Sequence, residues 1–308
     1  MAFDPVDLKG KKLLITGVTG QVARPLVNAY AKNADVYAMA RYGKEEDREA
    51  MEVAGATPLK ADLNDPASLS AVPDDLDYVI NAAVAKSGDF AEDLKGNAEG
   101  VGHLMARCKN VKAFLHISTT GIYAQGNQEP RPESSPMGDN HKNLLPTYSI
   151  CKIAAESTCR FAASIYGVPT TIARLNVPYG DNGGWPAMHL EAMRKGEPII
   201  IHPTSPNFYN PIHVDDYIEK IPRLLACASK DITLTNFGGS QKVSIEEWCN
   251  YIGELTGLEP KLMPNAMAFG SITIDLTIMH GLIGETKVDW RDGMKRMVKA
   301  LAPEALAV

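Results

Sequence analysis

Short runs of apolar residues alternate with amphipathic stretches along the first 174 residues of the chain. Runs that are apolar at successive positions predict strands buried on both faces, and they lie at residues 12–16, 35–40, 56–60, 76–81, 113–118 and 169–174. Stretches with helical periodicity lie at residues 21–32, 44–53, 90–109 and 147–166. This alternation predicts an α/β fold, a doubly wound parallel sheet with helices on both faces and right-handed crossovers.

The pattern loosens after residue 174, where proline and glycine cluster at residues 178–186 and again at 203–211. We interpret this second half as a smaller C-terminal lobe. The predicted boundaries are 1–178 for the sheet domain, which residues 207–240 would rejoin, and 179–308 for most of the lobe. Residues 232–237 are predicted to add a further strand to the main sheet.

Composition is that of an ordinary soluble globular protein, with 45% apolar and 22% charged residues. A net charge of -6 without basic runs argues against nucleic acid or an anionic membrane as a partner. The first residues lack the apolar stretch of a secretory signal, and we expect a cytoplasmic protein. The five cysteines include no C-x-x-C pair, which favours reduced thiols and predicts no metal site.

The first predicted strand leads directly into a glycine-rich loop that opens the first predicted helix. Residues 16–23 read T-G-V-T-G-Q-V-A, a T-G-x-x-G-x-x-A pattern. The glycines permit a tight turn and a close backbone approach to a pyrophosphate, and the free N–H groups of the helix start bind phosphate. The loop therefore predicts a nicotinamide dinucleotide site. Its expected contacts are Gly17, Thr19, Gly20, Gln21 and Val22.

The ends of the next strands predict the rest of this site. An acidic residue after the second strand would bind the ribose 2′-hydroxyl of NAD(H), but this chain has Arg41 there. Because a guanidinium pairs well with a 2′-phosphate, NADP(H) is the favoured cofactor and NAD(H) remains open. The other expected contacts follow the third and fourth strands: Asp62, Leu63, Asn81, Ala82 and Ala83.

Tyr148 and Lys152 lie one turn apart on one face of the helix predicted over residues 147–166. A phenol is a poor base at its usual pKa of ~10. A nearby ammonium and the positive ring of an oxidised nicotinamide would lower the pKa of Tyr148. Residues 118–120 add three hydroxyls at the carboxyl end of a strand, where open α/β sheets bind ligands. The pattern predicts proton transfer by Tyr148 coupled to hydride transfer.

Together these motifs resemble the NAD-dependent epimerase/dehydratase group of the extended short-chain dehydrogenases. The resemblance rests on the glycine loop, Asp62, the Tyr148/Lys152 pair, and residues 81–83, 118–123, 174–180 and 212–216. It implies a Rossmann-type doubly wound sheet, a smaller C-terminal substrate-binding lobe, and a homodimer joined through two long helices. It also implies a catalytic triad of Thr119, Tyr148 and Lys152, with Ser118 as the alternative hydroxyl. Val177 is expected beside the cofactor.

Departures from that family narrow the expected chemistry. Thr120 and Gly121 stand where sugar 4,6-dehydratases carry an Asp-Glu pair, so the acid and base for water elimination are missing. No Arg or Lys occurs at residues 207–211 or 268–280, where enzymes of nucleotide sugars clamp the diphosphate. An uncharged or partly apolar substrate is predicted instead. The side chains expected around it are Trp185, Met188, Phe208, Tyr209 and Phe269.

The sequence therefore predicts an enzyme that transfers hydride between NADP(H) and a small or medium carbonyl/alcohol substrate. Two alternatives remain open: a nucleotide-sugar epimerase with tightly bound NAD, and a regulator that senses NADP(H) without turnover. His213, Asp215 and Asp216 are expected to be structural, with an Asp capping the helix that follows them. Residues 125–145 are expected to form a flap over the site.

Overall fold

The protein is described by a computed structural model that covers residues 2–139 and 141–306. The outer ends of the two predicted domains, residues 1, 307 and 308, and residue 140 of the predicted flap lie outside the described residues. The centre of the fold is a sheet of seven parallel strands. Their spatial order is β12 (Thr233–Phe237), β6 (Thr170–Leu175), β5 (Ala113–Thr119), β4 (Tyr78–Asn81), β1 (Lys12–Thr16), β2 (Asp35–Ala40) and β3 (Thr57–Lys60).

Helices cover both faces of this sheet, because successive strand residues point to opposite sides. On β1, Leu13 and Ile15 pack into one core, while Leu14 packs into the other. The first face carries α1 (Ala23–Tyr30), α2 (Glu45–Val53), α7 (Val214–Ala226) and α9 (Thr277–Ile283). The second face carries α4 (Gly100–Arg107) and α5 (Tyr148–Tyr166). The Rossmann-type doubly wound sheet predicted from the sequence is confirmed.

A third core belongs to the smaller C-terminal lobe. It lies among α6 (Trp185–Lys195), α8 (Ile245–Thr256) and α10 (Trp290–Leu301), where Trp248 and Met294 are fully buried. The short strands outside the main sheet are β7 (Pro178–Gly180), β8 (Gly183–Gly184), β9 (Ile199–Ile201), β10 (Phe208–Tyr209), β11 (Ile212–His213), β13 (Val243–Ser244) and β14 (Leu262–Pro264). The lobe that the sequence predicts is therefore present, and its substrate-binding role stays a prediction.

One predicted strand and one predicted helix can be compared directly with the structure. Residues 233–237 form β12, which pairs in parallel with β6, as predicted for the returning strand. The helix predicted over 90–109 is interrupted, because α3 (Phe90–Leu94) and α4 flank a π-helical turn at Lys95–Glu99. The Asn97 amide donates to the Asp93 carbonyl at 2.7 Å and to the Ala85 carbonyl at 2.9 Å. A side chain that competes for helical backbone groups favours such an irregular turn.

Candidate active site

The carboxyl ends of the parallel strands open onto one elongated cleft, as is usual for open α/β sheets. Two cavities form the cleft and share Ala82 and Val84 at their border. The first, of about 290 Å³, contains Tyr148 and is named the tyrosine cavity. The second, of about 180 Å³, lies over the loop after β1 and is named the glycine-loop cavity.

The structure brings nearly all of the predicted site residues to these two cavities. The glycine-loop cavity is lined by Gly17, Thr19, Gly20, Arg41, Asp62, Leu63, Ala82 and Ala83. The tyrosine cavity is lined by Gln21, Val22, Ala82, Ser118, Thr119, Tyr148, Lys152 and Val177. Residues that are far apart in sequence thus meet along a single cleft.

The loop after β1 approaches the end of β4 so closely that residue 17 must be glycine. Gly17 has φ +73°, and a Cβ there would lie 2.7 Å from the Cα of Ala83. The Thr16 hydroxyl holds the two segments together by accepting hydrogen bonds from the backbone N–H groups of Ala82 and Ala83 at 3.2 and 3.1 Å. The result is a cradle of backbone that fits the pyrophosphate of a dinucleotide.

Asn81 lies behind the cleft and lines neither cavity. Its side chain is fully buried, accepts a hydrogen bond from the Thr16 hydroxyl at 2.6 Å and lies 3.1 Å from Nδ1 of His116. The Asn81 side chain therefore does not face the cleft, and the expected contact of Asn81 with the cofactor stays a prediction. The residue instead fixes the ends of β1, β4 and β5 relative to one another.

Arg41 directly follows β2 and is exposed on the wall of the glycine-loop cavity. Among the described residues that line this cavity, Asp62 is the one acid. Its carboxylate accepts a hydrogen bond from the Asn64 backbone at 3.0 Å, and this bond orders the loop after β3. At the end of β2 the cavity therefore presents the Arg41 guanidinium, and no carboxylate of β2 lines it.

Tyr148 and Lys152 stand at the start of α5, beside Thr119 at the end of β5. The Lys152 ammonium donates a 2.7 Å hydrogen bond to the Ile117 carbonyl, and burial lowers the pKa of Lys152 to about 8. Burial raises the pKa of Tyr148, and a hydrogen bond with the Thr119 side chain opposes that rise. In the protein alone, desolvation of the phenol is the larger effect, and the lowering of the Tyr148 pKa expected from Lys152 and an oxidised nicotinamide together stays a prediction.

The alternative hydroxyl, Ser118, is already engaged. It donates a 2.6 Å hydrogen bond to Glu156, which forms a buried ion pair with Arg174 at 2.8 Å. A carboxylate held between a guanidinium and a hydroxyl is well satisfied, and moving Ser118 would disturb it. Of the two candidates, Thr119 is thus the hydroxyl that contacts Tyr148.

Two side chains in the tyrosine cavity were not singled out as site residues from the sequence. The Lys86 ammonium lies 5.0 Å from the centre of the Tyr148 ring, and burial lowers the pKa of Lys86. The His141 ring occupies the space over Gly121, where a Cβ would lie 2.4 Å from it. Burial lowers the pKa of His141 to about 4, so the imidazole is neutral near pH ~7. Lys86 follows β4 within five residues and could have been found by its position; His141, on the predicted flap, carried no local signal.

The side chains expected around the substrate only partly line the tyrosine cavity. Trp185, Tyr209 and Phe269 line the tyrosine cavity, but Met188 and Phe208 do not.

His213, not an Asp, caps α7, because its Nδ1 accepts a hydrogen bond from the Asp215 backbone N–H at 3.2 Å. The Asp216 carboxylate instead accepts from the backbone of Lys287 at 2.7 Å.

Two further properties of the described residues concern metals and membranes. Within residues 2–139 and 141–306, no group of three His, Cys, Asp or Glu side chains could hold a metal ion. None of the helices described here combines the length and the hydropathy that a transmembrane span requires.

The fold and the cleft define a dinucleotide-binding enzyme of the extended short-chain dehydrogenase/reductase type. The profile of the NAD dependent epimerase/dehydratase family matches residues 13–233. The chain belongs to this family, and both the resemblance seen in its motifs and the expectation of an enzyme are confirmed.

Curated relatives are distant in sequence, and the first is about twice as long as this chain. It is 26% identical to the trifunctional UDP-glucose 4,6-dehydratase/UDP-4-keto-6-deoxy-D-glucose 3,5-epimerase/UDP-4-keto-L-rhamnose-reductase of Arabidopsis thaliana, over 96% of this chain and 47% of that protein. It is 27% identical to GDP-L-fucose synthase 1 of the same plant, over 49% of this chain and 50% of that protein. The chain thus spans about half the length of the first and aligns with half of the second.

Solved structures share the architecture over 95% of this chain. The UDP-glucuronic acid 4-epimerase from Bacillus cereus, in complex with UDP-glucuronic acid and NAD, has TM-score 0.80 at 19% identity, covering 95% of this chain and 99% of that one. The UDP-glucose 4-epimerase from Thermotoga maritima, with UDP-glucose, has TM-score 0.80 at 22% identity with the same coverage. At these identities the likeness shows the fold.

Proposed function

We propose that this enzyme is an oxidoreductase that transfers hydride between NADP(H) and a small or medium carbonyl/alcohol substrate. The observation that carries the proposal is the meeting of Thr119, Tyr148 and Lys152 at one cavity that continues into the glycine-loop cavity. A proton donor, an oxygen-binding hydroxyl and an ammonium are the groups that reduction of a carbonyl requires.

The cleft has the features that a nicotinamide dinucleotide needs. The Gly17 cradle would hold the pyrophosphate, Asp62 and Leu63 would contact the adenosine, and Gln21, Val22 and Val177 would border the nicotinamide end. When bound, the nicotinamide supplies or accepts the hydride. Arg41 supports NADP(H), because its exposed guanidinium can pair with a 2′-phosphate.

Residues of the chain itself transfer the proton. In the reducing direction Tyr148 gives its phenolic proton to the substrate oxygen, and Thr119 hydrogen-bonds the same oxygen. Lys152 places a positive charge near the phenolate that remains, which stabilises that anion as it forms. Its low pKa leaves the Lys152 ammonium able to exchange a proton near neutral pH.

The two parts of the protein have separate roles. The lobe built on α6, α8 and α10 binds the substrate, and the sheet domain binds the cofactor. The five cysteines are free and buried, which supports a cytoplasmic location. A homodimer is supported by the apolar side chains exposed on α5.

A nucleotide-sugar epimerase with tightly bound NAD is the second candidate. It is favoured by the relatives and solved neighbours, which act on UDP- or GDP-linked sugars by name. It is disfavoured by the tyrosine cavity, since no arginine is found among the described residues that line it. Net oxidation or reduction of the cofactor distinguishes an oxidoreductase from an epimerase, because an epimerase returns its hydride to the same substrate.

The test of the proposal is Tyr148→Phe, which removes one hydroxyl from the site. We expect turnover to fall about 100-fold or more while affinity for NADP+ is kept, since general acid catalysis commonly contributes ~10²–10⁴-fold. Thr119→Ala should follow the same pattern, whereas Ser118→Ala should lower stability through Glu156 more than it lowers the rate. Unchanged turnover in Tyr148→Phe would contradict the proposal, whereas a wild type that binds NADP+ and turns over no substrate would favour a non-catalytic sensor.

A further inference from the structure

A second chamber adjoins the tyrosine cavity on the side of the smaller lobe. It lies between α6 and β9, has a volume of about 330 Å³ and is named the side chamber. Its walls include Met188, Ala192, Ile199, Ile200, Ile245 and Ala268. It is larger than the tyrosine cavity, whose volume is about 290 Å³. A substrate confined to the tyrosine cavity would leave this apolar volume unused.

Two aromatic rings separate the side chamber from the site of proton transfer. Trp185 and Phe269 line both cavities, and their ring centres are 5.9 Å apart. The His141 ring, which stands beside Tyr148, contacts Phe269 with ring centres 4.2 Å apart. The wall between the two spaces therefore includes these aromatic side chains. A substrate held at Tyr148 would have to pass these rings to reach the side chamber.

The charge of the side chamber is unsuited to a diphosphate. Among the described residues that line it, Glu197 is the one charged side chain. Burial lowers the pKa of His189 to about 4, and its Nδ1 accepts a 2.9 Å hydrogen bond from the Trp248 indole. The imidazole is thus neutral near pH ~7 and has no proton on that nitrogen. A phosphate there would meet a carboxylate and no cation.

Three apolar side chains at the rim of the side chamber are exposed to water to an unusual extent. Met188 is 68% exposed, Leu144 is 54% exposed and Ile200 is 36% exposed. Contiguous exposed apolar surface around a concavity is typical of a ligand-binding groove. Leu144 belongs to the segment predicted as a flap, so the same segment borders both cavities through Leu144 and His141.

We propose that the side chamber binds an uncharged apolar arm of the substrate, an alkyl or aryl group, while the reacting carbon lies at Tyr148. This proposal rests on the proposed function, because it assigns the rest of the same substrate. It makes the chamber a specificity site in which burial of hydrocarbon, not pairing of charge, selects the ligand.

A series of methyl ketones from butanone to decanone tests the chamber. Dissociation constants are measured by calorimetry on NADP-loaded Tyr148→Phe, so that binding is followed without turnover, and ketone reduction is measured on the wild type with NADPH. We expect affinity to rise about fourfold for each added methylene until the chamber is filled. Affinity that does not change with chain length would overturn the proposal.

Two matched variants locate the effect. Met188→Lys places a cation at the rim and should weaken decanone binding about 10-fold, while butanone and NADP+ bind as before. Met263→Lys makes the same change at an exposed site outside the lining and should alter none of these constants. Equal effects of both variants, or binding of UDP to the loaded protein more tightly than decanone, would also overturn the proposal.

The two proposals fail in distinguishable ways. Chain-length-dependent binding without reduction of any ketone supports the side chamber and contradicts the proposed oxidoreductase reaction. Reduction of ketones without dependence on chain length supports the reaction and contradicts the chamber.

Discussion

Lys152→Met should remove a rise of stability with pH that the buried Lys152 causes. Lys152 is 4% exposed, and burial lowers its pKa from 10.5 to about 8 despite the opposing charge of Glu156. At ~1.36 kcal/mol for each pH unit, this difference corresponds to about 3 kcal/mol of unfavourable free energy for holding the ammonium in the folded protein.

The sign follows from comparing the folded and unfolded chains. Below about pH 8 the lysine is protonated in both states, and the whole cost is present. Between about pH 8 and 10.5 the unfolded chain keeps a proton that the folded chain has released, so stability rises with pH. Methionine carries no charge and removes this rise, but it leaves the Ile117 carbonyl without its donor, at a cost of about 1–3 kcal/mol.

Urea unfolding of the wild type and of Lys152→Met at several pH values measures the effect. Near pH ~7 the variant should match the wild type or exceed it by up to about 2 kcal/mol, and near pH ~10.5 it should be less stable by about 1–3 kcal/mol. Lys230→Met, at an exposed position, should show no such change with pH. A difference between wild type and Lys152→Met that stays constant across this range would refute the reasoning.

Three further changes test other parts of the structure. Gly17→Ala should abolish the thermal stabilisation given by NADP+, because its Cβ would meet the Ala83 backbone; Gly10→Ala, at φ +62° in open space, should keep it. Arg41→Ala should lower kcat/KM for NADPH about 10- to 100-fold and leave that for NADH nearly unchanged, and equal losses would remove the argument for NADP(H). Phe161→Glu, at a 67% exposed position of α5, should convert a dimer to a monomer on size exclusion, whereas Val53→Glu should not.

Much of the site could be predicted because its signals are local. The glycine loop is an uninterrupted segment between β1 and α1, and Tyr148 and Lys152 are spaced by one helical turn. Strands buried on both faces produce continuous apolar runs, so the pattern of apolar residues also predicts the parallel sheet.

The rest depends on contacts between distant segments. His141 reaches the tyrosine cavity only because Gly121 leaves room for its ring. The engagement of Ser118 depends on Glu156, which lies on α5. The pKa of Tyr148 depends on burial by several elements, which a spacing rule cannot supply.

The most direct test of the central claim supplies NADPH with two deuterium atoms at the nicotinamide C4 position together with decanone, and in parallel with UDP-glucose. Mass spectrometry of the alcohol product, together with the amount of NADP+ formed, follows the hydride. We expect one deuterium in each product molecule and one NADP+ for each, with both lost in Tyr148→Phe. Turnover of a substrate without deuterium in the product and without net NADP+ would contradict a net oxidoreductase and support the epimerase.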